Sequence, residues 1–255
     1  MIDMHSHVLF GVDDGPETIE ESVRIVQKAV EEGISNMIVT PHAFSPHYHV
    51  SKEDIEGKIS LLMNVIREVS IPLTIHAGQE VRLHDKIIDA LKAGEAMTLA
   101  GSKYLLLELP SHAVPAYTVP VIEQLLAEGV IPIIAHPERN RAIAEKPDRL
   151  QRLIQRGALA QVTAGSLSGH FGKHVQKLAL RLVQANLIHT YGSDVHNVHS
   201  RPLLFNEGLD YLEKKKLHRY ADLFLENNAR IVANKHYIQL EPEKIGNNKW
   251  WKISK

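Results

Sequence analysis

The chain has 255 residues, of which 44% are hydrophobic, with a formal net charge of −1. That length suits one α/β barrel domain or two ordinary domains with a full core. The neutral balance, with no long run of like charge, argues against broad electrostatic capture of nucleic acid or membrane, and no stretch approaches the roughly 20 apolar residues of a membrane span. Cysteine is absent, so disulfides and thiolate metal sites are excluded and any metal ligands must be His, Asp or Glu.

The first apolar run, Met1 to His7, reads as a strand. Its His5 and His7 are two apart, which on an extended chain places both imidazoles on one face. Helical periodicity follows from Ile19 to Glu32, closed by Gly33. Met37–Val39 is an apolar strand entering Thr40-Pro41-His42, where proline takes the chain out of regular structure. The next loop, Phe44 to His49, is polar and aromatic and suits a wall or lid. Lys52 to Val69 reads as an amphipathic helix, Pro72 to Glu80 as a strand, and Leu83 to Lys92 as a shorter helix. Met97–Leu99 and Tyr104–Leu109 read as strands, the second ending at Glu108. A helix over Val119–Glu128, the strand Val130–Ala135 leading into His136, and a helix over Pro147–Arg156 come next.

Ala158–Thr163 reads as a strand followed by a small-residue loop, Ala164 to Gly169. A helix over Lys173–Ala185 and a strand over Leu187–Gly192 lead into Ser193-Asp194-Val195-His196. Helices over Leu203–Leu212 and Arg219–Asn227 close the order, and residues 241–255 form a polar tail carrying Trp250 and Trp251. Seven or so strand–helix units favour parallel strands with right-handed crossovers, in a single barrel spanning 1–240 rather than an open sheet. Ligand-type residues recur at strand C-termini, where such barrels build their sites. The bland alternatives are ion pairs: Glu80 or Glu108 with Arg82, Arg139 with Glu138, and Arg201 with Glu207.

His5-x-His7, Gly11-Val-Asp-Asp14-Gly15, Thr40-Pro-His42, Gly78-Gln-Glu80, His136-Pro-Glu-Arg139 and Ser193-Asp-Val-His196 occur in order along the chain. Together they resemble the motifs of the PHP (polymerase and histidinol phosphatase) superfamily, and within it the bacterial protein-tyrosine phosphatases of the CpsB/CapC group. The resemblance covers roughly Met1 to Asn234. It implies a distorted (β/α)7 TIM-like barrel, three divalent metal ions (manganese, with iron or zinc as alternatives) and hydrolysis of phosphotyrosine. It further implies that His5, His7, Glu80 and Asp194 hold one ion. Glu80 bridges to a second held by Glu108 and His136, and Asp14, His42 and His196 hold the third. Adjacent Asp13 is the alternative to Asp14.

A donor set of imidazoles and carboxylates suits borderline divalent ions, which lower the pKa of bound water and polarise phosphoryl oxygens. Without cysteine, a cysteinyl-phosphate route is closed. Arg139 and Arg201, close after His136 and His196, would clamp the phosphate, since a guanidinium grips two oxygens at once. The resemblance also implies a partner: a bacterial tyrosine kinase of exopolysaccharide or capsule synthesis, presenting phosphotyrosines on a flexible C-terminal tail. With no visible signal peptide, the expected location is cytoplasmic. The alternatives are a small-molecule phosphatase such as histidinol phosphatase, a PHP-type exonuclease, disfavoured by the neutral charge, and a non-catalytic, metal-stabilised kinase-binding module. His47, His49, His112 and His199 are expected in the walls.

Overall fold

A computed structural model describes residues 1–243 and 245; Trp250 and Trp251 lie outside the described residues. The strands are β1 (Ile2–Ser6), β2 (Asn36–Val39), β3 (His42–Ala43), β4 (Thr74–Ala77), β5 (Glu80–Arg82), β6 (Tyr104–Glu108), β7 (Ile131–Ala135), β8 (Leu159–Thr163) and β9 (Thr190–Gly192). The helices are α1 (Ile19–Glu31), α2 (Lys52–Glu68), α3 (Ile87–Ala93), α4 (Thr118–Ala127), α5 (Arg141–Glu145), α6 (Asp148–Gln155), α7 (Ala164–Ser168), α8 (Lys173–Gln184), α9 (Phe205–Lys214) and α10 (His218–Val232).

All strand pairs are parallel, in two sheets ordered β1-β2-β4 and β3-β5-β6-β7-β8-β9. The chain steps directly from the first sheet to the second at two places, from β2 to β3 through Thr40-Pro41 and from β4 to β5 through Gly78-Gln79, and returns between them through α2. Counting each crossing as one bent strand leaves seven positions around a ring. The ring closes where Ser6 pairs with Val195, the His7 N–H donates to the Val195 carbonyl at 2.9 Å and the Asp194 N–H donates to the His5 carbonyl at 2.8 Å. The fold is therefore the single parallel barrel that the alternation of elements predicts, in the distorted (β/α)7 form that the resemblance implies. One apolar cluster, with Met4, Ile38, Leu106, Ile133 and Leu159, fills the ring; a larger one lies between strands and helices.

Three sequence expectations need correction. The strand expected over Pro72–Glu80 is broken at Gly78, where a Cβ would come within 3.0 Å of Ile38 Cγ2 and 3.1 Å of Leu99 Cδ2. The Gln79 side chain holds the bend by donating to the Val50 carbonyl and accepting from the Met97 N–H, each at 2.7 Å. Met97–Leu99 is not a strand: a 3-10 turn over Leu99–Gly101 drops the buried Leu99 into the ring interior. The small-residue loop after β8 is instead the helix α7, ended by left-handed Gly169. Apolar alternation cannot reveal such breaks, because each is set by what lies across the barrel.

The base of the ring is covered by α10 and the segment after it. Ile231 enters the interior cluster, and the Tyr104 hydroxyl donates to the Lys235 carbonyl at 2.7 Å. Nearby His189 is buried. Its Nδ1 accepts the Ala160 N–H at 3.2 Å, its Nε2 has no hydrogen-bond partner among the described residues, and burial pushes its pKa down to about 4. The unfolded chain, with an ordinary histidine, binds this proton near pH 6.5 while the folded chain does not, so stability falls as pH drops from about 6.5 toward 4. Between pH 7 and pH 5 this residue should cost about 2 kcal/mol of unfolding free energy. Urea titrations of wild type and His189→Asn at both pH values check it: the difference should shrink by that amount in the variant.

Candidate metal centre

The barrel delivers all nine expected ligands to one end. Four overlapping groups place ligand atoms within 4.8 Å of one another: His7, Asp14, His42 and His196; His5, His7 and Glu80; His5, His136 and Asp194; and His42, Glu80 and Glu108. His5 and His7 come from β1 and the residue after it, and Glu80 starts β5. Glu108 ends β6, while His136 and Asp194 follow β7 and β9. His136 (φ 33°) and Asp194 (φ 55°) sit in the left-handed backbone region, where the chain turns sharply off its strand to present the side chain.

The first pair is the most informative. His5 Nδ1 lies 3.0 Å from Gln161 Oε1, and His7 Nδ1 lies 2.8 Å from Asp13 Oδ2. Each partner oxygen only accepts, so each Nδ1 carries a hydrogen, and in the neutral rings both Nε2 atoms present lone pairs. Those two nitrogens are 3.2 Å apart. Two lone pairs hold that distance only with a cation between them, a proton or a metal ion. Glu80 Oε2 lies 3.6 Å from His5 Nε2 and 3.4 Å from His7 Nε2, and Asp194 Oδ1 lies 3.3 and 3.5 Å from the same two atoms.

Glu80 is the hub, since its Oε1 also meets His136 Nε2 at 2.7 Å and its Oε2 meets His42 Nδ1 at 3.1 Å. Asp14 Oδ1 lies 3.3 Å from His42 Nε2 and 3.2 Å from His196 Nε2. The two adjacent aspartates thus separate: Asp14 joins the cluster, while Asp13 holds His7 and accepts the Gly15 and His42 N–H groups. Arg82 pairs with Glu108 at 2.9 Å, not with Glu80. Arg139 and Arg201 do not pair with Glu138 or Glu207. Both donate to Asp194 Oδ2, Arg201 at 2.9 Å.

Burial and neighbouring charges compete in the titration behaviour. Burial opposes protonation of His7, yet Asp13 and Glu80 hold its pKa up to about 9; Asp14 and Glu80 likewise overcome burial to hold His42 at about 11. Burial and neighbouring cations, Arg139 and His7 respectively, push His136 and His196 down to about 4. Burial would raise Asp194 and Glu80, but Arg139 and Arg201 keep the first, and His5 and His136 the second, well below the usual carboxylate range. Burial, aided by the charge of Glu80, raises Glu108 despite Arg82.

A divalent ion fits these residues. His42 Nδ1, Asp194 Oδ1 and His196 Nε2 are buried ligand atoms without a hydrogen-bond partner among the described residues, although another ligand-type atom lies 3.1–3.3 Å from each. Their geometry suits a shared cation better than hydrogen bonds. The cluster opens into a cleft of about 310 Å³, lined by Asp14, His42, Glu80, Glu108, His136, Arg139, Asn140 and Arg201 among others. His47, His49, His112 and His199 are exposed and outside the four groups, while Tyr48 stacks on His42 with ring centroids 6.1 Å apart.

Residues 1–233 match the sequence profile of a family described as Capsular polysaccharide synthesis, CpsB/CapC. The chain belongs to the CpsB/CapC family. It is 36% identical over 251 residues to the putative tyrosine-protein phosphatase CapC of Staphylococcus aureus, covering 98% of both chains. It is equally identical over 249 residues to the tyrosine-protein phosphatase YwqE of Bacillus subtilis (strain 168), again covering 98% of each. A solved structure from work on YwqE and Streptococcus pneumoniae CpsB, described as unique metal-dependent tyrosine phosphatases, matches with a TM-score of 0.94 at 36% identity, over 96% of this chain and 100% of that one.

Three positioning residues of this CpsB/CapC chain escape sequence reasoning. Gln161, wholly buried on β8, sets the His5 tautomer, and nothing in its local pattern marks it. Asp3 accepts from the Ser193 N–H and hydroxyl, tying β1 to the turn that carries Asp194. Asp13 was visible only as an alternative to Asp14. Gln161→Leu keeps the volume but frees the His5 ring, so Mn²⁺ affinity measured by calorimetry should fall about 10- to 100-fold.

Proposed function

We propose that this chain is a metal-dependent protein-tyrosine phosphatase. The observation that carries the reading is the pair of His5 and His7 lone pairs, converging beside Glu80 and Asp194 at the floor of a cleft that two arginines also line. His5, His7, Glu80 and Asp194 would hold one divalent ion. Glu80, Glu108 and His136 would hold a second, and Asp14, His42 and His196 a third, with manganese as the expected metal. When bound, such ions supply an activated water and positive charge for phosphoryl oxygens.

The chain's own residues do the rest. Asp13 and Gln161 hold the His7 and His5 rings with Nε2 toward the site. Arg139 and Arg201 exchange part of their hold on Asp194 for the free phosphate oxygens, which a planar guanidinium matches. Tyr48 and Phe44, in the rim loop, suit an aromatic leaving group, and a phenolate with pKa near 10 departs more readily than an alkoxide. No cysteinyl-phosphate intermediate is available, because the chain has no cysteine.

The CpsB/CapC relationship supports a phosphotyrosyl protein substrate, and with it a bacterial tyrosine kinase of capsule or exopolysaccharide synthesis whose tail reaches the recessed cleft. Residues 1–240 form the catalytic unit under this reading. Among the described residues no helix is long and apolar enough to cross a membrane; a cytoplasmic site of action is part of the proposal.

The test is phosphate release from a phosphotyrosyl peptide and from histidinol phosphate with added Mn²⁺, wild type against His136→Ala. Preferred release from the peptide, abolished in the variant, is expected; preference for histidinol phosphate would move the function to small-molecule metabolism. In the same assay Arg139→Ala should lower turnover about 10²- to 10³-fold while bound metal per chain stays near wild type. Equal loss of metal and turnover would refute the clamp.

A further inference from the structure

We propose that Phe171, in the turn between α7 and α8, is a positioning residue that fixes the plane of the Arg139 guanidinium for a phosphoryl group. The proposal rests on the reading of Arg139 as a phosphate ligand. Arg139 Cζ lies 5.0 Å from the centroid of the Phe171 ring, within the roughly 6 Å reach of a cation–π contact. The same guanidinium donates through Nη2 to Asp194 Oδ2, while its buried Nε has no hydrogen-bond partner among the described residues. The carboxylate holds one edge of the group, and the central guanidinium carbon lies over the ring.

The ring is itself held in place. Gly165 of α7 faces it so closely that a Cβ there would lie 2.9 Å from Phe171 Cε2. Gly169 (φ 94°) and Gly172 (φ 90°) frame the turn in the left-handed region, so the chain reverses on both sides of His170-Phe171. The His170 backbone N–H donates to the Gly165 carbonyl at 2.9 Å, and its Nε2–H donates to the Ser200 carbonyl at 2.8 Å. Ser200 belongs to the turn in which Asn197 Oδ1 accepts the N–H groups of His199, Ser200 and Arg201. One short turn therefore meets both the Arg139 guanidinium and the loop that delivers Arg201.

The chemistry explains why a ring suits this position. Asp194 already draws on both arginines. A second carboxylate beneath Arg139 would neutralise charge that a phosphate dianion needs. An aromatic face orients the cation through its quadrupole and leaves the net charge intact.

The experiment replaces Phe171 with 3,5-difluorophenylalanine, nearly isosteric but with a weakened ring quadrupole, in the full chain loaded with Mn²⁺. It reads the inhibition constant of inorganic phosphate, KM and kcat for a phosphotyrosyl peptide, Mn²⁺ per chain and Tm, each in wild-type and Arg139→Ala backgrounds. The expected result is a threefold to tenfold rise, roughly, in the phosphate inhibition constant and KM. Metal content and Tm should be unchanged, with no further effect in Arg139→Ala. Phe171→Tyr should retain wild-type phosphate binding and Phe171→Leu should not. An unchanged inhibition constant, a rise that persists in Arg139→Ala, or a parallel loss of metal overturns the proposal. If Arg139→Ala alone leaves phosphate inhibition unchanged, the phosphate-ligand reading fails first and the positioning role falls with it.

Discussion

Glu80→Gln should remove at least about 10³-fold of phosphate release and more than one metal ion per chain. Glu80 is buried, and its two oxygens meet four imidazoles: His5, His7 and His42 through Oε2, and His136 through Oε1. Glutamine keeps the volume but turns one oxygen into a donor and removes the charge. No other single side chain in the cluster contacts as many histidines, so its loss reaches two of the proposed metal sites together. Losing roughly 4 kcal/mol of metal-derived transition-state stabilisation corresponds to that factor. Elemental analysis after Mn²⁺ loading, with circular dichroism to confirm folding, separates the effect from unfolding. Full retention of metal with full activity would remove Glu80 from its bridging role.

Asp194→Asn comes next in size and differs in signature. Asp194 Oδ1 faces His5 and His7, while Oδ2 receives Arg139 and Arg201. The amide weakens the metal site and leaves two partly buried guanidinium groups without their shared counter-charge. Removing one partner of a buried pair costs about 3–5 kcal/mol, so the metal-free chain should be destabilised measurably. Activity should fall by about 10³-fold or more, with a loss of one ion per chain. The freed arginines should also bind inorganic phosphate more tightly, because Asp194 no longer competes for them. Direct titration of phosphate into the metal-free variant reads this last point: affinity equal to or weaker than wild type would show that Asp194 does not restrain the arginines.

The two substitutions separate the functions of the centre. Glu80 gathers histidines, so its loss is read chiefly in metal stoichiometry. Asp194 sits between the metal-facing imidazoles and the cleft-facing arginines, so its loss appears in metal, in stability and in anion binding at once.

Much of the fold and most of the site were legible in the sequence. Apolar runs of strand length alternate with amphipathic helices, and seven such units leave few topologies besides a parallel ring. Ligand-type residues stand at the ends of those runs in chain order, so once the ring exists they meet at its C-terminal rim. His5 and His7 share a face because extended chain has a period of two residues, a local property that needs no tertiary information.

The remainder depended on contacts between distant segments. Nothing near Gln161 in the sequence shows that it meets His5, 156 positions away, yet that contact decides which nitrogen of His5 is free. Asp13 and Asp14 are adjacent and chemically identical; only closure of the ring turns one toward His7 Nδ1 and the other toward His42 and His196. Gly78, where the strand breaks, has no room for a side chain because Ile38 and Leu99 occupy the space one would need. Arg139 and Arg201 share Asp194, 55 and 7 positions away, although each has a nearer acidic neighbour in sequence. The sequence by itself determined the kinds of donor atom and their order along the chain, because these follow from residue type and local period. Tertiary structure alone decided which lone pair faces the cluster and which charge is already shared, because hydrogen bonds and ion pairs depend on atomic distances that only the closed barrel sets.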